Sequence, residues 1–167
     1  MRKEEIDMAN IADVKTDRMR YTKNKISANL SYLAIVFNAI YFISVYKSDV
    51  GSYFYNIQIG FSVIYNLLFM LFTFLSSEGV KAYDKKFSIV LMVLGALQIV
   101  RIFGIPWNAY YTFVKIGTNY VQAMGWYQFL LCIGCLVLSS ASAIAAGVIG
   151  IIKTTKLRNY EKTLVQE

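Results

Sequence analysis

The chain has no histidine, one proline and two cysteines in 167 residues, and only 16% of it is charged. A soluble domain carries about 25% charged and roughly 45 to 50% apolar residues. Here 57% of residues are hydrophobic and the mean hydropathy is +0.47, which excludes an ordinary soluble domain. The missing histidines remove the commonest general base and metal ligand. The remaining acids outside the N-terminal region, Asp49, Glu78 and Asp84 among them, stand singly, so neither a paired-carboxylate site nor a metal site is assembled. The expectation is a protein that is not an enzyme and holds no cofactor. The apolar runs also lack an acidic residue, which speaks against a proton-coupled carrier, whose relay needs an intramembrane Asp, Glu or His.

What is present is organised in blocks. Four apolar stretches, about 28–46, 53–76, 87–105 and 126–152, each reach the roughly 17 to 25 residues that a hydrocarbon core of about 30 Å requires. They are continuous rather than alternating, so helices are expected and a barrel is not. The fold class is an all-α integral membrane protein, an antiparallel four-helix transmembrane bundle. Three regions follow: a charged N-terminal segment 1–27, a membrane domain 28–152 and a basic tail 153–167.

Orientation follows from the bases, which are retained on the cytoplasmic side. Arg2, Lys3, Lys15, Arg18, Arg20, Lys23 and Lys25 precede the first block, Lys81, Lys85 and Lys86 lie between the second and third, and Lys153, Lys156, Arg158 and Lys162 follow the fourth. Only Lys47 and Lys115 fall on the opposite side, with Arg101 inside its block. Both termini are therefore expected in the cytoplasm of a multi-pass protein of the plasma membrane, in a bacterial cell. The first block follows a mixed-charge region without a small-residue cleavage site and is expected to stay as an anchor. The net charge of +7 suits an anionic bilayer surface. Nucleic acid is not an expected partner, because Glu4, Glu5, Asp7, Asp13 and Asp17 interleave with the N-terminal bases. The spacing of Ile6, Ile11, Val14 and Arg18 allows a short surface helix in this segment, with a solvated tail as the alternative.

The connection 47–52 is short enough to force antiparallel neighbours. The connection 106–125 is the long one, and Tyr110, Phe113, Val114, Gly117, Val121 and Met124 recur in it at helical spacing. A short amphipathic interfacial helix between spans three and four is expected, capped by Asn108, with an irregular anchored loop as the alternative. Trp107, Tyr110, Phe113 and Val114 are its candidate contacts for a partner at the outer face.

Three further features carry functional expectation. Ser139, Ala143 and Gly147, interleaved with Ser142, Ala146 and Gly150, form two rows of small residues on span four. Such rows let backbones approach closely where lipid supplies no hydrophobic drive. One row serves the bundle on this reading and the other a second protein, with internal packing for both as the alternative. Cys132-Ile-Gly-Cys135 resembles the outer-end cysteine pair of four-helix quinone-linked thiol oxidases. The likeness ends there, because this pair lies inside an apolar run and the chain has no second pair; packing is its expected role. Lastly Asn38, Asn66, Gln98 and Arg101 put polar groups inside the spans, and Arg101 is expected to face the bundle interior or a partner rather than lipid. The leading functional expectation is an accessory or assembly subunit packing against a larger membrane complex such as a transporter. The contending one is a small self-associated channel or transporter with a path lined by Asn38, Asn66, Gln98 and Arg101.

Overall fold

An uninterrupted apolar run can satisfy its own backbone only as a helix, and each of the four blocks is helical. The computed structural model describes residues 13–46, 56–116 and 118–166. The long helices are α1 (Lys25–Tyr46), α2 (Asn56–Lys81), α3 (Lys85–Ile102) and, at the end of the chain, a further helix Trp126–Gln166. Between the last two lie a short helix α4 (Ile105–Tyr111), strand β1 (Phe113–Ile116) and strand β2 (Asn119–Gln122), which makes the helix from Trp126 α5. Four helices are long and apolar enough to cross a membrane, and they pack together. Residues 13–19 form an additional short helix before α1. The expected short loop 47–52 and the positions Ile6 and Ile11 lie outside the described residues.

The connection 106–125 departs from the expected single amphipathic helix. Only the seven residues of α4 are helical there, and β1 and β2 pair antiparallel, Phe113 with Gln122 through Ile116 with Asn119. Asn108 is not a cap: it lies within α4, whose caps are Gly104 and Thr112. The only proline, Pro106, sits in the first turn of α4, where its missing N–H costs nothing. The physical reason for the hairpin is composition. FVKI and NYVQ are β-branched and aromatic, and the Gly-Thr between them is a two-residue hairpin signature that outweighs a weak 3.6 periodicity.

At the other end, α2 and α3 are joined by a tight turn. Tyr83 takes a left-handed conformation with φ 56°, and Asp84 caps α3 by accepting from the Lys86 N–H at 3.0 Å. The basic stretch from residue 153 is helical and continuous with the apolar run before it, since α5 extends without a break for 41 residues. At 1.5 Å per residue that is about 60 Å, twice the thickness of a hydrocarbon core.

The bundle is organised around α5, which packs most extensively on α1 and α3. Its small residues explain the closeness. Ser139 Oγ donates to the Ala34 carbonyl of α1 and Ser140 Oγ to the Gly95 carbonyl of α3, each at 2.8 Å. A Cβ built on Gly147 would stand 2.6 Å from the Ser88 carbonyl oxygen, so only glycine permits this approach. Both small-residue rows are buried inside the bundle. The expectation that one row is left for a second protein is therefore corrected: α1 and α3 flank α5 on two sides and use both.

Candidate functional site

Polar groups placed inside a greasy bundle must find each other, and three of the four intramembrane candidates do. Asn38 projects from the buried stripe of α1 that also holds Ser31, Ala34 and Tyr41. Gln98 and Arg101, three residues apart on α3, share a face and reach across to it. Gln98 Nε2 donates to Asn38 Oδ1 at 2.9 Å and Arg101 Nη1 donates to the same oxygen at 3.1 Å. Asn38 and Gln98 are fully buried, and Arg101 is half-buried. Asn66 is buried too, but its amide donates to the Ser62 carbonyl of its own helix at 2.9 Å. It is not part of the linked trio.

Arg101 faces the interior, as its charge requires. Its guanidinium lies 4.5 Å from the ring centroid of Tyr41 on α1 and 4.9 Å from that of Tyr65 on α2. Aromatic faces attract a cation electrostatically, the more so where water is excluded. These two tyrosines were missed from sequence. The available signal was that Tyr41 follows Asn38 by three residues, and Tyr65 follows Ser62 by three, which puts each on the polar stripe of its helix.

The site is incompletely satisfied. Asn38 Nδ2, Gln98 Oε1, Arg101 Nη2 and the Tyr65 hydroxyl are buried without a partner in hydrogen-bond geometry. A cleft of about 320 Å³ opens beside them, lined by Tyr41, Phe61, Ser62, Tyr65, Arg101, Gly104 and Ile105. Its walls come from α1, α2 and the α3–α4 junction. The arrangement is a fixed cation with a spare donor, framed by aromatic rings, and chemically it suits an acceptor such as a carboxylate or carbonyl.

The candidates at the hairpin end divide. Ala109 of α4 and Met124 are fully buried with Tyr41, Phe129, Cys132 and Leu136, so the connection plugs the end of the bundle. Tyr110 turns inward, stacked on Phe129 with centroids 4.3 Å apart. Trp107 and Phe113 remain exposed, together with Tyr111, Tyr120, Trp126 and Tyr127. Val114 is described only by its strand pairing with Val121. Cys132 and Cys135 are both buried and unbonded to each other, and they pack in the same cluster. Among the described residues no group of three or more His, Cys, Asp or Glu could hold a metal ion. No family model, no curated protein and no solved structure matches this chain.

Proposed function

We propose that this is a non-enzymatic multi-pass protein of the plasma membrane, both termini cytoplasmic, that serves as an accessory or assembly subunit of a larger membrane complex such as a transporter. The observation that carries the reading is Arg101. A guanidinium held between Tyr41 and Tyr65, with Nη2 unpartnered beside a cleft, offers a charged donor to a group from outside the chain. In hydrocarbon an unsatisfied polar group costs several kcal/mol by general estimates, so an acceptor on a partner helix gains both pairing and specificity. The small-residue rows no longer support a partner interface, because α1 and α3 occupy them. The exposed aromatics around Trp107 do support one, since such side chains favour the boundary between membrane and water.

A self-associated channel is the second reading, favoured by the convergence of Asn38, Gln98 and Arg101. It is the weaker one. Asn38, Gln98 and Arg101 are linked to one another inside a single chain and are buried or half-buried there, and Asn66 is buried and bonded along its own helix, so these four do not line a path between copies.

Purification in mild detergent with mass determination separates the two. A stoichiometric larger protein is expected to accompany the wild-type chain. Arg101→Leu is expected to lower its recovery by about tenfold, the effect of losing one charge-assisted contact. Ser62→Leu, which narrows the cleft and leaves Arg101 in place, is expected to act in the same direction. A pure homo-oligomer that conducts solute in liposomes would overturn the proposal.

A further inference from the structure

The end of the bundle that holds Lys25, Tyr83 and Lys153 contains a second cavity, of about 670 Å³. Its lining includes Lys15, Arg18, Lys23, Lys25 and Lys153, with Tyr21 and Tyr83 between them, and no acidic residue among the described residues. The sequence had suggested that acids dilute the N-terminal bases; Glu4, Glu5 and Asp7 lie outside the described residues, and the two described acids, Asp13 and Asp17, are turned away from the cavity. In the helix over 13–19, Lys15, Arg18 and Met19 follow i, i+3, i+4 spacing and line the cavity, while Asp13 and Asp17 fall on the opposite side. Asp17 is engaged by Arg20 at 3.4 Å, and Glu78, which lies within electrostatic reach of Lys23, is bonded by Lys81 and Tyr32. None of the five lining bases has an ion-pair partner among the described residues.

One lining residue of this cavity, Lys153, is anchored to the residue between Lys23 and Lys25. Lys153 Nζ of α5 donates to Asn24 Oδ1 at 3.1 Å, and the almost fully buried Asn24 donates to Ser27 Oγ at 2.9 Å. The Asn24 N–H also donates to the Lys81 carbonyl at 3.2 Å, which ties the start of α1 to the end of α2 and, through Lys153, to α5. Five like charges around one concavity repel each other in the empty state, and a concave surface of one sign focuses the field on a counter-charge. A volume within the roughly 300 to 1,000 Å³ range of ligand sites admits a compact polyanion.

The geometry points to a phosphate-binding site: the cavity formed by the 13–19 helix, the 23–25 junction and Lys153 binds a phosphate-bearing anion, presented either by an anionic lipid headgroup or by a soluble phosphate compound. It is independent of the Arg101 cleft, which lies at the other end of the bundle.

The test uses the full chain and two probes. Lipid retention is read by native mass spectrometry from phosphatidylcholine micelles with added phosphatidylglycerol, and inorganic pyrophosphate binding by calorimetry in phosphatidylcholine nanodiscs. The cleft variant Lys15→Gln/Arg18→Gln/Lys153→Gln is compared with the charge-matched control Lys85→Gln/Lys86→Gln/Lys162→Gln. In at least one arm the wild type and the control are expected to bind alike and the cleft variant at least about tenfold more weakly. Loss in the lipid arm identifies a headgroup as the source, and loss in the pyrophosphate arm a soluble phosphate. Arg18→Gln alone, at an exposed position of the 13–19 helix, is expected to weaken binding in the same arm without altering the melting temperature. Equal weakening in the cleft variant and the control, or no binding by the wild type in either arm, would overturn the proposal.

Discussion

Asn38 is the acceptor on which the interior polar groups depend. Its single Oδ1 takes an amide donor from Gln98 and a charged donor from Arg101. Removing it takes the acceptor from the Gln98 amide and leaves Arg101 with its two aromatic faces, and each buried group left without a partner costs about 1 to 3 kcal/mol. Asn66 donates only along its own helix, and an ordinary polar contact between membrane residues is worth about 0.6 kcal/mol. Asn38→Ala is therefore expected to destabilise the bundle clearly more than Asn66→Ala. Reversible unfolding in bicelles measures the difference, and equal costs would remove Asn38 from its central role. The sequence marked Asn38, Gln98 and Arg101 by rarity alone, since polar residues inside apolar runs stand out. It did not mark Tyr41 and Tyr65, because a tyrosine in a membrane span looks the same whether it faces a cation or lipid.

At the level of elements, legibility followed the length of the repeating signal. Runs of about twenty apolar residues admit one backbone solution, and α1, α2, α3 and α5 appear where those runs lie. The connection 106–125 was misread because a handful of residues fits a period of 3.6 and a period of 2 almost equally well, and pairing between FVKI and NYVQ is invisible to a search along one axis. The hairpin makes a checkable demand. Lys115 and Tyr120 are directly opposite, one pair removed from the hydrogen-bonded Ile116 and Asn119, so theirs is the closer, non-hydrogen-bonded kind of pair. Lys115→Cys/Tyr120→Cys should oxidise readily to an intramolecular disulfide, detected as a two-dalton mass loss resistant to alkylation. A helix across the same residues would hold these positions apart, and quantitative alkylation of both under mild oxidant would favour it. The apolar run that begins at Trp126 falls off near Ile152, while the helix itself continues to Gln166, because a backbone can stay helical past the end of its apolar stretch.

The whole molecule has four packed helices long and apolar enough to cross a membrane, and its side chains are distributed to match. Large apolar side chains such as Ile43, Phe61, Val100 and Ile152 point outward, while serines, asparagines and glycines fill the contacts between helices. The bases gather at the end with the α2–α3 turn, and the exposed aromatics at the end with the hairpin. On the proposed orientation, Lys115→Cys should react with a membrane-impermeant maleimide added to intact cells, and Lys85→Cys should react only after permeabilisation. Labelling of Lys85→Cys from outside would invert the topology. The central place of α5 has a consequence in time. The helix that both α1 and α3 pack against most follows them in the chain, so they are synthesised before the partner that seats them. Ala34 and Gly95 wait for the serines that bond their carbonyls, and any pause before α5 emerges leaves a half-built bundle.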